Sequence, residues 1–119
     1  MLIDPGKIYN DRTPTEWVGK SVELQNVMVT DTNDSGNFWV GVGGKHRLLI
    51  VKRPDDPNQQ ALRIHKGDVV NVTGVVEPAT DEWAQKTKAD MGSMHDAHSG
   101  AGVFLLASNV SIASSTSKK

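Results

Sequence analysis

Two groups of side chains in this sequence have the types and spacing that chemistry needs. The first is Trp39 with the cations Lys45, Arg47, Lys52 and Arg53. An outward indole is a stacking platform worth ~1–3 kcal/mol per base, and flanking Lys and Arg supply phosphate contacts. The same residues have a plainer use, with Trp39 closing an open end of the fold or packed on a helix, and the charges solvating a strand. The second group is Met91, Met94, His95 and His98, which share one face of a helix if the helix is continuous. Thioether with imidazole suits Cu(I), and imidazole alone suits Zn(II) or Cu(II). Gly92 weakens that helix. The plainer use is two methionines packed on the body of the protein and two histidines at the solvent edge.

No third group supports catalysis. Ser, His and Asp are present, but no nucleophile sits in an elbow or beside a patterned base. Asp31, Asp34, Asp55 and Asp56 lie in turn sequences, where Asp serves local backbone hydrogen bonds. The run Gly41-Val42-Gly43-Gly44 joins two strands and opens no helix, so it lacks the context of a phosphate cradle. The expectation is a protein with no catalytic residues and no cofactor.

The elements that must position these residues are short β-like runs ending in glycine or turn clusters. Strand one is expected from near Trp17. Val22 and Leu24 share a face with Val27 and Val29 only if the register slips around Gln25-Asn26. A β-bulge supplies that slip and lets one strand bend to serve both halves of a barrel. The cluster 31–37 is a turn, strand two runs from Phe38 to Val42, and Gly43-Gly44 makes a hairpin into strand three, His46 to Lys52. Trp39 alternates with Phe38, so one of these rings is expected inside and the other outside. Residues 58–64 suit a short helix or turn, and strand four covers Val69 to Val76. Thr80 caps a helix from Asp81 to about Ala89, which resumes after Gly92. Strand five covers Val103 to Ile112. Five strands, a bent first strand and a helical excursion before the last are the plan of an all-β oligonucleotide/oligosaccharide-binding (OB) barrel. Residues 1–15 read as an irregular arm, 16–112 as the OB domain and 113–119 as a disordered polar tail.

The 119 residues suit one hydrophobic core. Hydrophobic residues make up 37% and aromatics only 5%, so the core is aliphatic and any function that relies on a row of stacking rings is limited. The net charge of −1 draws the chain to neither nucleic acid nor an anionic membrane. Its distribution is uneven, since residues 45–66 carry a net +4 in an otherwise acidic chain. Cysteine is absent, which removes disulfides and thiolate chemistry. No run approaches the ~20 apolar residues that span a bilayer, and residues 1–15 lack the pattern of a signal peptide.

The runs Trp17-Val18-Gly19-Lys20-Ser21-Val22-Glu23-Leu24, Phe38-Trp39-Val40-Gly41, Lys66-Gly67-Asp68-Val69-Val70-Asn71-Val72-Thr73-Gly74 and Gly102-Val103-Phe104-Leu105-Leu106-Ala107 carry a resemblance. They resemble small bacterial OB-fold proteins, many predicted to be exported, and are broadly similar to the periplasmic bacterial OB-fold stress proteins. The resemblance implies an OB barrel over residues 16–112 and an extracytoplasmic setting, and it carries no catalytic residues. The expected function is a non-enzymatic binding module whose partner, a protein or a small polar ligand, lies over strands two and three. The alternative is weak single-stranded nucleic-acid binding through the same strands.

Overall fold

The computed structural model describes residues 2–33, 36–43, 46–53, 55 and 57–114. Five strands close a barrel in the order β1-β2-β3-β5-β4, with β1 at Ser21–Thr32, β2 at Phe38–Gly43, β3 at His46–Lys52, β4 at Val69–Pro78 and β5 at Val103–Ser114. This is the OB fold expected from the sequence. The bulge in β1 is present where the alternation demanded it. The register to β4 shifts between Leu24 and Val27, and Asn26 takes a left-handed φ of 55°. The bend lets the first part of β1 pair with β4 and the last part with β2. Among the five strands the pairings are antiparallel except a short parallel one, Ile50–Lys52 with Leu105–Ala107, which closes the barrel. Val22, Leu24, Phe38, Val40, Leu48, Ile50, Val72 and Leu105 fill the interior.

Residues 2–15 are more regular than their prolines suggested. They hold a short helix α1 (Gly6–Tyr9) and lead into a 3-10 turn (Pro14–Trp17). Pro5 and Pro14 stand at the starts of these turns, where a missing N–H costs nothing. Ile3 N–H donates to Glu23 O at 2.9 Å, and Ile8 is buried in the barrel core. Strand one starts at Ser21 rather than near Trp17, because Gly19 turns the chain with a φ of 88°.

A short helix α2 (Pro57–Ala61) follows β3. The expected helix after β4 is two helices. Thr80 caps α3 (Asp81–Thr87) by accepting from Trp83 N–H at 3.2 Å, and Lys88 ends it in the left-handed region at φ 57°. Asp90 then caps α4 (Met91–Ser99), its carboxylate accepting from Ser93 N–H at 2.8 Å. Strands β4 and β5 each run two residues beyond the expected ends. The hairpin residue Gly44 and most of the expected tail, 115–119, lie outside the described residues.

A second apolar cluster lies outside the barrel. Trp39, Leu49, Val51 and Phe104 from the outer face of β2, β3 and β5 meet Ala84 of α3 and Met94 and Ala97 of α4. The helices inserted between β4 and β5 therefore cover the strands on which a ligand was expected.

A candidate ligand cleft beside Trp39 and Arg47

In β2 and β3, Trp39 pairs with Leu49 and Gly41 with Arg47. Residues two apart on neighbouring strands are diagonal neighbours on one face, so this register puts Arg47 beside the indole. The guanidinium carbon lies 3.8 Å from the Trp39 ring centroid, a stacked cation–π contact. Trp39 is only 5% exposed. Phe38 does face the interior and Trp39 the exterior, but α4 and Arg47 cover the indole, so it is not a free stacking platform. That corrects the reading of Trp39 as a free platform and agrees with the plainer one of a ring packed on a helix.

The guanidinium of Arg47 is held but not satisfied. Its side chain is 26% exposed, and its nearest carboxylate, Asp96 of α4, stands 4.0 Å away on a side chain that is 67% exposed. Among the described residues it makes no hydrogen bond. Beside it, between the barrel and the C-terminal end of α4, lies a cleft of about 190 Å³ lined by Trp39, Arg47, Asp96, Ala97, Ser99, Gly100, Ala101 and Val103.

Of the other cations named with it, Lys52 and Arg53 do not join Arg47. Lys52 is 4% exposed, and its Nζ donates to Leu62 O at 2.8 Å. Burial lowers the pKa of that ammonium. It was expected as a phosphate contact and instead points into the protein. Arg53 is exposed at the end of β3 and pairs with Asp55 at 3.1 Å. Lys45 lies outside the described residues.

The four Met and His positions do fall on one helix, α4, but they do not converge. Met94 is fully buried against the barrel while Met91 is exposed. His95 Nε2 is 2.8 Å from Asp81 Oδ1, and His98 Nδ1 is 3.1 Å from Ala79 O. Among the described residues no three His, Cys, Asp or Glu side chains are grouped to hold a metal ion. These two histidines line a wider recess of about 620 Å³ with Asp81 and Glu82. Each imidazole there already has a partner, which is why the smaller cleft with its unsatisfied guanidinium is the better candidate site.

Sequence reasoning missed the polar contacts that seat α4. Asn33 Nδ2 donates to Ser93 Oγ at 2.7 Å, and Asp90 N–H donates to Asn37 Oδ1 at 3.0 Å. Both asparagines read as turn formers. It also missed Asp96 as the carboxylate facing Arg47. One signal was available. Phe38-Trp39-Val40 and Leu48-Leu49-Ile50-Val51 are apolar without alternation, the pattern of strands buried on both faces.

No family model matches this chain, and no curated protein sequence matches it. Solved structures match in fold. The OBody AM2EP06 bound to hen egg-white lysozyme is 20% identical with a TM-score of 0.56, over 94% of this chain and 92% of the OBody. The OBody AM3L15 bound to the same protein is 22% identical with a TM-score of 0.56, over 93% and 90%. The aspartyl-tRNA synthetase of Entamoeba histolytica is 10% identical with a TM-score of 0.58, over all of this chain but 22% of the synthetase. At these identities the likeness is one of fold.

Proposed function

We propose that this chain is a non-enzymatic OB-fold binding module that takes a small polar ligand in the cleft between Arg47 and the C-terminal end of α4. One observation carries the reading: a guanidinium held 3.8 Å over a buried indole, without a hydrogen bond among the described residues. Holding a long side chain in place before binding removes much of the ordering cost that binding would otherwise pay, and the Arg fork matches carboxylate geometry. The cleft's 190 Å³ is the share of about six water molecules. That is below the ~300 Å³ at which drug-sized sites begin, so a single small molecule suits it better than a chain. The resemblance to exported bacterial OB proteins adds an extracytoplasmic setting to this proposal.

A protein partner is the reading that the OBody complexes favour, since those barrels are bound to lysozyme. Against it stands the small size of the cleft. Single-stranded nucleic acid has less support here, because Trp39 lacks a free face and Lys52 is withdrawn. The test is an amide NMR titration of the full chain with a panel of sugars, dicarboxylates, nucleosides and amino acids, then a mixed DNA oligonucleotide at low salt. The expected result is saturable shifts at Gly100, Ala101 and the Trp39 indole with one small-molecule class. Shifts on β2 and β3 with the oligonucleotide alone, or no cleft shifts with any compound, overturn the proposal.

A further inference from the structure

We infer that the cleft takes a zwitterionic α-amino acid with a short aliphatic side chain, an inference that rests on the cleft being a ligand site. The argument begins with its charges. Arg47 and Asp96 face each other at 4.0 Å, close enough to attract and too far apart to hydrogen-bond. Together they are neutral. A simple anion attracted to Arg47 meets Asp96, and a simple cation attracted to Asp96 meets Arg47. A ligand with a carboxylate and an ammonium on one carbon complements both, and like charges are kept apart.

The surroundings hold groups that suit both ends. Trp39 Nε1 makes no hydrogen bond among the described residues, and none of their buried side-chain polar atoms lacks a partner, so this N–H reaches solvent. It is a second donor on a residue of the lining. The C-terminal end of the nine-residue α4 also borders the cleft, and its carbonyls favour positive charge. Asp96 projects from that same helix. The rest of the lining is Ser99, Gly100 and the small apolar side chains of Ala97, Ala101 and Val103. The three apolar residues offer van der Waals contact to an aliphatic side chain.

The test separates the ligand class from the cleft itself. The full chain is titrated by amide NMR with valine, N-acetylvaline, valinamide and isovalerate. Valine is expected to shift Gly100, Ala101 and the Trp39 indole saturably, and each single-charge analogue to bind at least about tenfold more weakly. Arg47→Met and Asp96→Asn, each with a spectrum otherwise unchanged, are expected to lose valine binding by at least about tenfold. Isovalerate or valinamide binding as well as valine overturns the zwitterion while leaving the cleft as a site. Sugars, dicarboxylates or nucleosides shifting the cleft where valine does not has the same consequence. Silence of the cleft toward every compound overturns both readings.

Discussion

The ammonium of Lys52 donates to the carbonyl of Leu62 at 2.8 Å from a residue that is 4% exposed. The contact ties the end of β3 to the segment that follows α2. It also leaves a charge in a poorly solvated place, and burial lowers the pKa from its ordinary 10.5. Between the lowered value and 10.5 the unfolded chain holds more protons than the folded one, so stability rises with pH through that window. Tyr9 acts in the opposite sense, because its pKa is raised above 10.0 and stability is lost as pH climbs through the raised value. The Lys52 effect is therefore read below pH 10. Urea midpoints of the native chain should rise from neutral pH toward that limit, and those of Lys52→Met should stay flat. An equal rise in the variant would show that another group is responsible.

Arg47 covers the indole of Trp39, and its removal should be felt there first. Arg47→Ala should cost about 1 kcal/mol, the scale of a partly exposed cation–π contact. In a Trp17→Phe, Trp83→Phe background, acrylamide should then quench Trp39 more strongly than in the Arg47 parent. Unchanged quenching would mean that α4 alone shields the ring.

Gly74 sits at the register shift between β4 and β5. A Cβ there would stand 2.9 Å from the Cα of Ala107 and closer still to the carbonyl oxygen of Leu106. The obstacle is backbone, so no rotamer change relieves it. Gly74→Ala should cost more than about 3 kcal/mol in chemical denaturation. Gly19 has a φ of 88° but open space around its missing Cβ, and Gly19→Ala should cost only the left-handed penalty of about 1–2 kcal/mol. Equal losses at the two sites would contradict the close approach at Gly74.

Met94 is the fully buried residue that α4 sets against Trp39, Leu49 and Val51. Met94→Ala should cost about 2–5 kcal/mol. Hydrogen exchange should accelerate across residues 91–99 more than across β1 and β4, because the barrel interior is a separate cluster. Uniform acceleration would mean that the helix and barrel unfold as one unit.

Much of the fold is legible in local sequence. The failed alternation between Leu24 and Val27 locates the bulge, and Thr80 with Asp81 and Glu82 marks a helix start. Backbone sterics and hydrogen bonds between near neighbours decide these features, so the order of residues is enough to reveal them. The candidate site is less legible. Trp39 and Arg47 were both singled out, but for a solvent-facing role that the covering helix denies to the indole.

Whether Trp39 faces water depends on where α4 lies, and α4 is placed by partners such as Asn37 and Asp90, 53 residues apart. Lys52 turned inward for a similar reason, since its acceptor on Leu62 is brought near by the path of the chain after β3. The pairing of Arg47 with Asp96 also crosses from barrel to helix. Alternation and turn residues report which way a strand's side chains point. What stands opposite them is set by packing between distant segments, and it is that packing which turns a basic run into one held guanidinium beside a small cleft.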